Sequence, residues 1–168
     1  EAIGPVKETA LFTWICRGRG FDIEAYRLEA SYTPNIQKFI SDAYTYEGLP
    51  YDVGYRMDDE NIYCSELVYK AFKSSTGEDI AEFSILGEMN WRPYQSTIEM
   101  FEKGPVPHDR KMITPVALTK CSGLNNGLSM PGEDTSKLNS FVIGSSTSKI
   151  ALICLLTSAQ LSTFTPFS

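Results

Sequence analysis

Histidine is almost missing from this chain: 168 residues hold one, His108. The four cysteines, at 16, 64, 121 and 154, include no Cys-x-x-Cys pair. With a single histidine they fit neither the familiar zinc-finger spacings nor a disulfide framework, so no metal and no cofactor is expected. Basic charge is also short. Fifteen Lys and Arg face 21 Asp and Glu, for a net charge of −6. A nucleic-acid binder needs a basic face, so nucleic acid is excluded as a partner. Long apolar runs are lacking as well. The longest uncharged one, Ile150 to Leu156, has seven residues. A membrane helix needs roughly 20, so no integral membrane segment is expected. Asp58, Asp59 and Glu60 lack the alternating oxygen ligands of a calcium loop and read as a solvated turn.

What is present suits one folded domain of 18.7 kDa, with 42% hydrophobic and 12% aromatic residues. The chain changes character near Lys120. Residues 121–168 carry two charges of each sign and 15 Ser or Thr among 48, without a helix or strand period. The expected division is a folded domain over 1–120 and a weakly structured tail over 121–168. Within the tail, Lys149–Leu156 reads equally as a short strand or a short helix.

Three helices are legible before the break. Thr33-Pro34 predicts a start, and Ile36, Phe39, Ile40, Ala43 and Tyr44 then trace one buried face until Gly48 and Pro50. Cys64, Leu67, Val68, Ala71 and Phe72 repeat that spacing, with Gly77 as terminator. Ser96 and Glu99 have capping-box spacing ahead of Gly104-Pro105. A shorter helix is expected from Thr9 to Arg17. Phe21, Ile23 and Ala25 alternate with acids as a half-buried strand does, and Ala2–Val6 and Met112–Leu118 read as edge strands. The fold class is α+β, with a small antiparallel sheet.

Chemistry concentrates between Tyr51 and Val68. Cys64 stands where an acidic loop meets the start of an amphipathic helix. Unpaired amides and the helix dipole at such a point stabilise a thiolate and can face an oxyanion during acyl transfer. A nucleophilic cysteine also needs a base, usually histidine. Spacing alone leaves Cys64 open between that role and a place in the core, since it lies on the apolar stripe of its own helix. His108, in Pro-Val-Pro-His-Asp-Arg-Lys, reads as part of an exposed loop.

Glu1-Ala2-Ile3-Gly4-Pro5-Val6, the Gly48-Leu-Pro-Tyr51-Asp52 approach and Ile62-Tyr63-Cys64-Ser65-Glu66-Leu67-Val68 together resemble the YiiX/YebB-like permuted papain-fold cysteine hydrolases. These are circularly permuted relatives of the NlpC-type cell-wall amidases. The resemblance runs to about Leu118, where Ile113-Thr114-Pro115-Val116 is similar to a late strand of the family, and stops before the tail. It implies a papain-like fold with the cysteine-bearing helix packed on the sheet. It implies Cys64 as nucleophile and Glu1 as the group orienting a histidine that precedes residue 1, with Tyr51, Asp52 and Tyr63 near the substrate. The implied substrates are peptides, peptidoglycan-like material or acyl amides. A non-catalytic binding domain on the same scaffold is the alternative. Bacterial envelope and cytoplasm are equally compatible with the sequence.

Overall fold

The structure, a computed structural model, describes residues 4–10, 13–14, 23–121 and 124–130. Its architecture is α+β. Strand β1 (Ile23–Leu28) pairs antiparallel with β4 (Leu124–Met130), Leu28 opposite Leu124 and Ile23 opposite Met130, with a register shift between Ala25 and Tyr26. A second antiparallel pair joins β2 (Ser84–Ile85) to β3 (Lys111–Met112). The helices are α1 (Ile36–Tyr44), α2 (Cys64–Thr76), α3 (Gln95–Glu102) and α4 (Pro115–Thr119).

Helix α1 packs on α2 through the apolar stripes read from the sequence. Phe72 is the centre of that contact, with edge-on ring contacts to Tyr32 at 5.1 Å and Phe39 at 6.4 Å. Tyr26, Tyr69, Ala71, Ile80, Ile113 and Leu118 complete this core. Tyr63, Leu86, Val106 and Met112 form a second one, under β2 and β3. Helix α2 ends as predicted. Gly77 takes a left-handed φ of 81° and its N–H bonds the Lys73 carbonyl at 2.8 Å.

Four local expectations are corrected. Pro34 lies in a 3-10 turn, Ala30–Asn35, so α1 proper starts at Ile36. Tyr44 leaves the buried face because its hydroxyl bonds the Glu8 carboxylate. Helix α3 follows a 3-10 turn at Arg92–Tyr94 and begins at Gln95; the Gln95 amide donates to Glu99 at 2.8 Å, so no Ser96–Glu99 box forms. The stretch read as an edge strand over Met112–Leu118 is strand only at Lys111–Met112. Pro115 opens α4, because Thr114 caps it by accepting the Ala117 N–H at 3.1 Å.

The tail also differs from its reading at one point. Strand β4 falls inside residues 121–168, and it supplies the partner of β1. The Lys149–Leu156 stretch lies outside the described residues, as do Phe21 and most of the Thr9–Arg17 helix. A single helical bond, Trp14 N–H to the Ala10 carbonyl at 3.0 Å, is described there. Residues 4–6 of the predicted Ala2–Val6 strand form bends instead.

Candidate active site around Cys64

Cys64 is the first residue of α2 and is partly exposed. It is not sealed into the core beneath Leu67 and Phe72. Two neighbours in sequence hold it there. The Tyr63 hydroxyl accepts the Ile113 N–H at 2.9 Å, and the Ser65 hydroxyl donates to the Ile113 carbonyl at 2.8 Å. Tyr63 and Ser65 are each 1% exposed. Both peptide groups of one core residue thus clamp the two residues that flank the thiol.

The helix start is completed by Glu66. Its carboxylate accepts the Tyr63 N–H at 3.3 Å and lies 2.8 Å from the Lys70 ammonium, a contact without good hydrogen-bond alignment. Glu66 is fully buried, and burial pushes its carboxyl above the ordinary value despite Lys70. Lys70 also reaches Asp59 at 2.8 Å and the Asp58 carbonyl. The acidic turn read from the sequence therefore ties down the first turns of the cysteine helix.

Tyr51 approaches from the other side. It forms a parallel bridge with Ile62, supported by the Ile62 N–H to Pro50 carbonyl bond at 3.0 Å. Its phenol lies beside the Cys64 thiol and the Tyr55 hydroxyl. Burial raises the Tyr51 phenol far above its ordinary range, and negative charge on Cys64 raises it further. Burial likewise raises Tyr63. Both phenols are neutral donors at any working pH. Tyr55 stacks edge-on with Tyr51 at 6.4 Å and with Tyr63 at 5.2 Å.

Asp52 is 3% exposed and faces its own turn. It accepts the Gly54 N–H at 2.7 Å and the Arg56 N–H. Arg110 bonds the Gly54 carbonyl and Glu102, and Arg56 reaches Glu102 at 3.1 Å, so the turn is pinned onto α3. Those arginines hold the Glu102 carboxyl below its ordinary value.

A crevice of about 80 Å³ opens at Cys64, with Lys7, Tyr51, Tyr63 and Leu67 in its wall. The segment bearing Lys7 is fixed by two bonds at 2.9 Å, Val6 N–H to the Leu49 carbonyl and Gly48 N–H to the Val6 carbonyl. Gly48 makes that turn at a φ of 87°. Of the residues singled out in sequence, Cys64, Tyr51 and Tyr63 share this crevice and Asp52 lies behind it. Glu1 lies outside the described residues. His108 is exposed, its ring 4.6 Å from Trp91 and its carbonyl accepting the Gly87 N–H at 2.8 Å, and it does not line the crevice. Sequence reading missed Lys7, Tyr55 and the Ile113 anchor. Only Lys7 and Ile113 had any signal, each standing within or next to a family-like string.

An α+β domain with a cysteine at the start of its central helix has the form of the papain-like fold. The family model of the permuted papain-like amidases, the YaeF/YiiX or C92 family, matches residues 1–126, and the chain belongs to that family. The match runs past Lys120 into β4. The chain is 31% identical over 121 residues to the uncharacterized protein YiiX of Escherichia coli K12, covering 70% of this chain and 60% of that protein. It thus spans about three-fifths of that relative's length. A crystal structure of YiiX from Escherichia coli O157:H7, described as a metalloprotein, superposes with a TM-score of 0.71 at 28% identity, covering 77% of this chain and 74% of that one.

Proposed function

We propose that this domain is a thiol hydrolase of amide or ester bonds, with Cys64 as the nucleophile. The observation that carries the reading is Cys64 at the first position of α2, partly open to the crevice and anchored on both sides through Ile113. The Cys64 thiolate attacks the carbonyl carbon and the carbonyl oxygen becomes an oxyanion. First-turn amides of a helix have no partner within it, and those of α2 face that charge. The Tyr51 phenol, held neutral, is a further donor beside the sulfur. Collapse expels the amine or alcohol, which takes a proton from the base, and water then hydrolyses the thioester. In this reading the base is the histidine that the family resemblance places ahead of Glu1, and Glu1 orients it. Peptide, peptidoglycan-like and acyl-amide substrates are all within its range. The part of the catalytic domain present in this sequence is read as residues 1–120 together with β4.

The described side chains do not suit a metal at this site. No cluster of three or more His, Cys, Asp or Glu among the described residues is placed to hold one. Asp52 accepts backbone N–H groups of its own turn, and Glu66 is fully buried against Lys70 and is not in the crevice lining.

A non-catalytic binding domain is the second reading. It is favoured by His108, the single histidine of the sequence, which stands on Trp91 away from the crevice. One assay separates the two. Wild type and Cys64→Ala are compared on an activated ester and on a peptide amide. The hydrolase reading expects ester acylation that mass spectrometry locates on Cys64 and that Cys64→Ala abolishes. Equal turnover by both proteins would refute it.

A further inference from the structure

Eight described residues line the crevice at Cys64; none is acidic, and Lys7 alone carries a full charge. The Tyr51 phenol beside the thiol is pushed up by burial and adds no negative charge there, and the Tyr63 hydroxyl is held by Ile113 and Met57. In a chain with a net charge of −6, Lys7 is therefore the one cationic side chain among the described residues of this wall. No ion pair engages Lys7 among the described residues, whereas Lys38, Lys70 and Lys73 each pair with a carboxylate. Its backbone is not free to wander, because Val6 is bonded on both sides to the Gly48-Leu49 turn. A space of about 80 Å³ at the thiol is small, so a group bound at the sulfur sits among these few lining residues. A group seated at the sulfur thus occupies a crevice that Lys7 also lines.

We infer that Lys7 is the specificity-determining residue of the crevice and selects acyl substrates that carry an anionic group, such as a carboxylate, next to the scissile carbonyl. This rests on the thiol-hydrolase reading of Cys64. A cationic flank at the same position would meet Lys7 with like charge, and a neutral one would gain nothing from it.

The test uses two alkylating reagents that differ in charge alone, iodoacetate and iodoacetamide. In each the Cys64 thiolate attacks the methylene carbon, a sulfur–carbon bond forms and iodide leaves. Any effect of Lys7 on the thiolate fraction acts on both rates equally and cancels in their ratio. The full chain is labelled under second-order conditions and the sites are resolved by mass spectrometry. The iodoacetate-to-iodoacetamide ratio at Cys64 is expected to fall about three- to tenfold in Lys7→Ala, further in Lys7→Glu, and to persist in Lys7→Arg, the scale of one ion pair near a protein surface. High salt should shrink the wild-type ratio. Cys121, partly buried, is the internal control: its ratio should not respond to Lys7, and its accelerated labelling would report unfolding. A Cys64 ratio that stays within twofold across wild type, Lys7→Ala and Lys7→Glu overturns the assignment of Lys7 and leaves the nucleophile standing. Failure of Cys64 to react with either reagent faster than Cys121 overturns the nucleophile and Lys7 with it.

Discussion

Replacing Ser65 by Ala removes one of the two bonds that fix the Cys64 turn. Its hydroxyl, 1% exposed, donates at 2.8 Å to the carbonyl of Ile113, itself 1% exposed. The substitution adds no bulk and leaves that carbonyl without its donor in a dry site. An orphaned buried polar group costs about 1–3 kcal/mol. In a protein of this size each kcal/mol moves the unfolding midpoint by about 2–4 °C, so a drop of about 2–12 °C is expected. Tyr63→Phe strands the Ile113 N–H in the same way and should cost a similar amount. Because both bonds end on one residue, losing the first lets Ile113 relax and weakens the second. The double variant should therefore cost less than the sum by about 0.5 kcal/mol or more. Urea unfolding of the four proteins closes the cycle, and iodoacetamide labelling of Cys64 in the native state gives a second readout. Single variants within about 0.5 kcal/mol of wild type, with unaltered Cys64 labelling, would refute the clamp.

Glu102→Gln should flatten the acid limb of stability. The Glu102 carboxyl is held below its ordinary 4.5 by Arg110 and Arg56, so on acidification the unfolded chain takes up the proton first. Stability from this group is present above pH 4.5 and lost as pH falls through the lower folded value, and Gln removes that loss in acid titrations followed by circular dichroism. Glu66 has the opposite sign: its folded value is raised, so it works against stability as pH rises through that value, and Glu66→Gln should lessen the decline. Truncation after Met130 should leave the unfolding midpoint nearly unchanged, whereas truncation after Lys120 deletes β4, strips β1 of its partner and should lower it. His108→Ala should leave any Cys64-dependent turnover intact and cost at most about 1 kcal/mol through the Trp91 edge contact; loss of turnover would return His108 to the site.

Helix α2 was legible because every local signal agreed. Its apolar spacing from Cys64 and the terminal Gly77 name limits that the structure keeps, and the Glu66 cap on Tyr63 completes its start. Disagreement marks the places where reading failed. The Met112–Leu118 stretch is apolar and holds a proline, which suits an edge strand and a helix start equally. The Thr114 hydroxyl decides for the helix, by a bond visible only once the chain is folded. Strand β4 was hidden for a related reason. Leu124-Asn-Asn-Gly-Leu-Ser-Met is poor in β-branched and aromatic residues, and its strand state comes from pairing with β1, about a hundred residues earlier in the chain.

The site divides along the same line. Cys64 could be located because a helix start is a local event written in consecutive residues. Its surroundings are assembled from 6–7, 51–55 and 113, which no periodicity connects, so only the string resemblance brought Tyr51 into view. Asp52 shows why a string resemblance names neighbours without naming roles. Its two carboxylate oxygens take backbone N–H groups of its own turn, and Arg56 and Arg110 then fasten that turn to Glu102. The residue next to Tyr51 thus shapes the loop that carries Tyr55 over Tyr51 and Tyr63. Asp52 turns both carboxylate oxygens into its own loop and is not among the residues that line the crevice. Within the thiol-hydrolase reading, the place of the histidine's polar partner is given to Glu1 by the family resemblance alone.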